Sequence, residues 1–124
     1  MTKISPQKRL RIIYAEDSPT DQELLSRVLM NRGHDVVCCD NGSLALQAIQ
    51  AEAFDILISD NDMPRMNGLA LVQELRRIEH PPKIIVISGF LEPEVEERYR
   101  AFGVELFLLK PSPDEVILQT VEND

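Results

Sequence analysis

Five short apolar runs, each followed by a stretch of helical periodicity, constrain this chain more than any other feature. The runs are "RIIYA" (Arg11 to Ala15), "DVVCC" (Asp35 to Cys39), "FDILIS" leading to Asp60, "KIIVIS" ending at Ser88 and "VELFLLK" ending at Lys110. Continuous apolar runs predict strands buried on both faces, and their alternation with helices predicts a parallel α/β sheet. Right-handed crossovers leave few arrangements of such a sheet. In the first helix Ser18 is placed to cap, Pro19 suits the first turn, Leu24, Leu25, Val28 and Leu29 form one face, and Gly33 stops it. The turn Asn41-Gly42 opens a second helix with Leu44, Ala45, Ala48 and Ile49 on one stripe. Leu69, Val72, Leu75 and Ile78 define a third, and Val95, Tyr99 and Phe102 the apolar side of a fourth. A fifth, in "SPDEVILQTVEND", is short and polar at its end, the pattern of a truncated helix or of a chain that continues. The 124 residues fit one domain, residues 1–124, with 1–9 as an N-terminal tail.

Composition narrows the function. With 44 % hydrophobic residues and no low-complexity tract, the chain reads as folded. A formal charge of −8 argues against the basic face that nucleic acid requires; it reads most simply as solubility and, more sharply, as a site that attracts cations. No apolar run approaches ~18 residues, so no membrane span is expected. "MTKISPQKRL" lacks the apolar centre of a secretory signal, which points to the cytoplasm. Cys38 and Cys39 are adjacent, with Cα atoms ~3.8 Å apart, too close for a relaxed disulfide, and read as reduced, small apolar residues. His34 and His80 have no partner at metal-ligand spacing and read as turn or surface residues.

The segment "DILISDNDMPRMNG" places Asp60 and Asp62 at the tip of an apolar strand, where charge is costly. Parallel strands deliver their C-terminal ends to one edge, which is where ligands bind. Reading those ends gathers Glu16 and Asp17, Asp60, Ser88 and Lys110, while Asp40 serves the turn after the second strand. Clustered carboxylates raise one another's pKa unless a cation sits among them, and hard oxygen donors of this kind suit Mg²⁺. A lysine and a hydroxyl beside such a metal suit a phosphoryl group, and a carboxylate can itself be the nucleophile. Singly, Asp17 or Ser18 is a helix cap and Lys110 a surface residue. Their joint placement on one edge is what points to a site. Met63 and Met66 read as loop-to-core fillers and Gly68 as a turn residue.

With those residues in view, nearly all of the chain resembles the receiver domain of bacterial two-component response regulators. The matching pieces are "ED" at Glu16 and Asp17, "DILISDNDMPRMNG", "IIVISG" and "LFLLKP", in that order and spacing. The resemblance implies a flavodoxin-like, doubly wound five-stranded parallel sheet in the order 2-1-3-4-5. It implies a signalling switch rather than an enzyme, one that catalyses only its own phosphorylation and dephosphorylation. By the same likeness Asp60 is the phosphoacceptor, Asp17 a direct Mg²⁺ ligand, Glu16 a ligand through water and Asp62 a ligand through its backbone carbonyl. Ser88 matches the hydroxyl that follows the phosphoryl group, Lys110 the lysine that pairs with it and Phe107 the aromatic switch. A cis Lys110–Pro111 peptide is implied too. The implied partners are a histidine kinase or histidine phosphotransfer protein and a downstream effector, reached through the face of helix four, strand five and helix five. Four departures stand out: Glu16 where aspartate is commoner, Phe107 without a hydroxyl, no aromatic after "KP", and the extra acid Asp62.

Two other readings compete. "DILISDNDMP" also resembles the D-x-D phrase of haloacid-dehalogenase-type phosphatases, with Asp60 as nucleophile, Asp62 as acid/base and Ser88 and Lys110 as later motifs. Those enzymes place the phrase on the first strand, whereas here it follows the third. A receiver-like binding module that is never phosphorylated is the third reading, and the full set of acids, hydroxyl and lysine argues against it.

Overall fold

The computed structural model describes residues 8–123. Its elements run β1 (Arg11–Ala15), α1 (Pro19–Asn31), β2 (Asp35–Cys39), α2 (Gly42–Ala51), β3 (Ile56–Asp60), α3 (Gly68–Leu75), β4 (Lys83–Ser88), α4 (Pro93–Ala101), β5 (Leu106–Leu109) and α5 (Asp114–Glu122). All strand pairs are parallel, in the order β2-β1-β3-β4-β5. This is the doubly wound arrangement that the resemblance implied.

Alternation along each strand divides the core. Ile12 and Tyr14 of β1, Ile56 and Ile58 of β3 and Ile85 and Ile87 of β4 face α1 and α5, meeting Leu25, Leu29, Ile117 and Val121. Their neighbours Ile13, Ala15 and Leu57 face α2 and α3, and Val86 faces Tyr99 of α4. Three helices begin on a side-chain cap. Ser18 Oγ accepts from the Asp21 N–H, Asn41 Oδ1 from Leu44 and Asn67 Oδ1 from Ala70. Each such cap contributes about 1 kcal/mol. Gly33, at φ 98°, ends α1 in the left-handed region. Gly42 donates its N–H to the Met66 carbonyl at 3.1 Å, tying α2 to the loop after β3.

Several expectations need correction. The edge strands are not covered on both faces, since Val37 of β2 is 38 % and Leu109 of β5 is 64 % exposed. Leu24 and Leu44 point outward, because each lies about 100° around the helix from the buried residue that follows it. α3 ends at Leu75, before Ile78. Asp40 accepts from Gln22 Nε2 at 3.0 Å and leaves the α2 cap to Asn41. His34 is buried, not a surface residue. Its Nδ1 accepts the Leu10 N–H at 3.1 Å, so Nε2 carries the proton and donates to Glu122 at 2.8 Å. Of the expected tail, residues 1–7 lie outside the described residues, and Arg9 is paired to Asp35. Cys38 and Cys39 are free thiols, the first exposed and the second buried, and Met63 and Met66 pack on the core as expected.

Candidate functional site

The site forms where β1, β3, β4 and β5 end. Glu16 follows β1 and is 1 % exposed, a position that demands full hydrogen bonding of its carboxylate. It receives the Tyr14 hydroxyl at 3.0 Å, the Ser18 N–H at 3.1 Å and Lys110 Nζ at 2.5 Å. Asp17 is exposed beside it, and Asp60 ends β3 at 7 % exposure. Carboxylate oxygens of Glu16, Asp17 and Asp60 lie within 4.8 Å of one another. This donor set is all hard oxygen, with no histidine or thiolate, and fits Mg²⁺.

Lys110 is the cation of the cluster. Besides Glu16 it reaches Asp21 Oδ2 at 3.2 Å and lies 3.5 Å from Asp60 Oδ1. The peptide joining it to Pro111 is cis, as the resemblance implied. Burial pulls the lysine pKa down, but the hydrogen bond that Lys110 donates to Glu16 and the charge of Asp60 outweigh it, and the pKa is raised overall. Asp60 moves the other way from a usual carboxylate. Burial and then the Glu16 charge push it up to about 6, against the pull of Lys110 and of the Asp62 N–H that it accepts. An acid held in that state gains from any added positive charge.

Ser88 is buried at the end of β4, but its hydroxyl is occupied in the loop, donating to the Phe90 carbonyl at 2.7 Å. Asp60, Asp62, Ser88, Phe90 and Lys110 line an open cleft of about 460 Å³. Asp62 is exposed, and its carboxylate lies outside the three-acid cluster; its N–H, not its side chain, meets Asp60. Phe107 is half-buried on β5, edge-on to Tyr99.

The structure therefore brings Glu16, Asp17, Asp60, Ser88 and Lys110 to one edge as expected. Reading the strand ends missed Asp21 and Tyr14. Asp21 sits in the first turn of α1, close behind the acidic pair, which was the available signal; Tyr14 reads simply as a core residue until its hydroxyl is seen.

Comparison with known proteins decides the family. The family model described as the response regulator receiver domain matches residues 12–122. The chain belongs to the receiver-domain family. The chain is 30 % identical over 119 residues to the sensory/regulatory protein RpfC of Xanthomonas campestris, covering 92 % of this chain and 16 % of that protein. It is 32 % identical over 108 residues to the sensor protein EvgS of Escherichia coli, covering 87 % of this chain and 9 % of that one. This receiver thus spans under a fifth of the length of either relative. A response regulator receiver protein from Pseudomonas putida superposes with a TM-score of 0.87 at 28 % identity, over 94 % of this chain and 98 % of that one. The family match overturns the phosphatase reading, in keeping with the position of Asp60 after the third strand. Receiver domains are signalling domains of two-component phosphorelay systems, and among the described residues no helix is long and apolar enough to cross a membrane.

Proposed function

We propose that this receiver takes a phosphoryl group onto Asp60 from a histidine kinase or histidine phosphotransfer protein, in a Mg²⁺-dependent reaction, and passes the change to an effector. The observation that carries the reading is a buried aspartate at a strand tip with Lys110 3.5 Å away and two further acids within 4.8 Å. An oxygen of Asp60 attacks phosphorus, the P–N bond of the phosphohistidine breaks, and its electron pair returns to the imidazole nitrogen. Water later cleaves the acyl phosphate and regenerates the carboxylate. These two steps on itself are the only chemistry the domain performs.

Glu16, Asp17 and Asp60, with the backbone carbonyl of Asp62, would hold Mg²⁺, Glu16 through water. The bound ion supplies positive charge that offsets the acids and the equatorial oxygens of the transferring group. Lys110 needs to give up part of its contact with Glu16 and Asp21 to pair with the phosphoryl oxygens. Ser88 must leave the Phe90 carbonyl to donate to them. Both movements transmit the chemistry outward, toward the face of α4, β5 and α5 that contains Phe107. The domain acts in the cytoplasm, without contact to nucleic acid or membrane, as one unit within whatever protein carries it.

Intact-mass measurement after acetyl phosphate and Mg²⁺ tests the acceptor. Wild type should gain one phosphoryl group and Asp60→Asn none, since an amide is a poor nucleophile of nearly the same shape. Undiminished labelling of Asp60→Asn would assign the acceptor elsewhere.

A further inference from the structure

Tyr99 of α4 is fully buried, and a buried phenol needs a partner for its hydroxyl. It finds one outside its own layer. The hydroxyl donates to Asn61 Oδ1 at 2.6 Å, and Asn61 is the residue directly after Asp60. Room for this contact exists only because residue 68 is glycine. A Cβ there would lie 2.5 Å from the Tyr99 hydroxyl and 2.6 Å from the Asp60 carbonyl. The start of α3, the tip of β3 and α4 therefore meet around one oxygen atom.

Asn61 is held on its other atoms as well. Its N–H donates to the Ile87 carbonyl at 3.3 Å and its carbonyl accepts the Gly68 N–H at 3.1 Å. On its N-terminal side Asn61 is bonded directly to Asp60, the last residue of β3. A change in charge at the Asp60 carboxylate thus reaches Asn61 through one backbone step. A buried hydroxyl that loses this partner is left with an unsatisfied donor, a cost that favours movement of α4 toward another acceptor.

Phe107 occupies a different position. It lies at the rim of the same apolar cluster, its centroid 6.2 Å from that of Tyr99 at an interplanar angle of 71°, with the Arg100 guanidinium 4.8 Å from its ring. The interior between β4 and α4 that an inward-turning Phe107 would enter is filled by the Tyr99 ring. Phe107 also has no polar atom by which to follow a change at Asp60.

From these contacts we infer that Tyr99 is a positioning residue that, through Asn61, couples the segment after Asp60 to α4, with Phe107 following rather than leading. The inference rests on Asp60 being the phosphoacceptor. Its test compares wild type with Tyr99→Phe, Asn61→Ala, the double variant and Phe107→Leu. Each is labelled with acetyl phosphate and Mg²⁺ and weighed, and its amide chemical shifts are recorded with and without beryllofluoride and Mg²⁺. Tyr99→Phe should still take one phosphoryl group while the beryllofluoride-induced shifts of residues 93–101 lose most of their amplitude. Asn61→Ala should show the same loss, and the double variant no more than either single one. Phe107→Leu should keep the α4 response. Labelled Tyr99→Phe with a wild-type α4 response overturns the coupling and leaves the acceptor reading standing, as do losses that add independently in the double variant. Wild type that takes no label overturns both. Should Tyr99→Phe fail to fold, Asn61→Ala alone decides by the same measurement.

Discussion

At one end of the sheet, Glu16, Asp17 and Asp60 crowd together around a single lysine; at the other, acids meet cations pair by pair. Arg9 grips Asp35 with two nitrogens, the Arg11 guanidinium spans Glu52 and the Ala53 carbonyl while its backbone N–H meets the Asp55 carboxylate, and Lys83 donates to the carbonyls of Thr120 and Asn123 at the end of α5. There the guanidinium of Arg9 holds the Asp35 carboxyl below its usual range, while Asp60 is pushed up. The same residue types, placed on opposite edges of one sheet, do opposite things. The pairs at one edge are matched in sign and largely exposed, whereas at the other edge the acids outnumber the lysine among them and Asp60 is buried.

The largest expected effect tests the mismatch. An aspartate raised from 3.8 to about 6 binds a proton in the native state that the unfolded chain has already lost, so stability falls as pH rises through that window. The cost is roughly 3 kcal/mol by pH 7. Metal-free urea unfolding should show wild type weakening between about pH 4 and 6 and Asp60→Asn not sharing that loss. At pH 7 the variant should be the more stable protein, and Mg²⁺ should narrow the gap by binding only folded wild type. A less stable Asp60→Asn would mean that the charges at this edge are already balanced.

The opposite end should respond with the opposite sign. Glu122 accepts from the buried His34 ring and from Arg32, linking the end of α5 to the loop before β2. Glu122→Ala should lower stability by about 1–3 kcal/mol, the range for leaving a buried donor without its partner, and Glu122→Gln by less. Labelling of the folded variant at Asp60 should keep its wild-type rate. A slower rate would show that the two ends are not independent.

The smallest effect sharpens the boundary of the mismatched region. Asp62 is exposed, so water screens its charge. Asp62→Asn should weaken Mg²⁺ binding and speed labelling by acetyl phosphate, each by about two- to threefold. Equal affinity and equal rate would confine the mismatch to the three clustered acids.

What the sequence made legible divides along the same line. Strand tips could be read because periodicity locates the strands, and parallel pairing then brings Glu16, Asp17, Asp60, Ser88 and Lys110 to one edge without further knowledge. Contacts made between elements could not. His34 and Glu122 are 88 residues apart, Asp21 and Lys110 89, and Asn61 and Tyr99 38. No local pattern couples such pairs; they exist only because the helices return to the sheet at particular heights. His34 therefore read as a turn residue and Tyr99 as ordinary core, when one anchors α5 and the other touches Asn61, the residue beside Asp60.

Gly42 and Gly68 have a consequence for how this loop can vary between generations. Neither residue is a glycine for the sake of its backbone angles, since neither falls in the left-handed region. Each is one for lack of space: a Cβ at residue 42 would lie 2.2 Å from the Met66 oxygen, and one at residue 68 would strike the Asp60 carbonyl. Even alanine, the mildest allele, collides with backbone in both places. Between these two fixed points the side chains of Asp62 and Pro64 are exposed, and so is that of Arg65, whose φ of 68° limits it by backbone rather than by space. Inherited change can therefore retune the rim of the site residue by residue, while the two posts from which that rim hangs stay closed to every other amino acid.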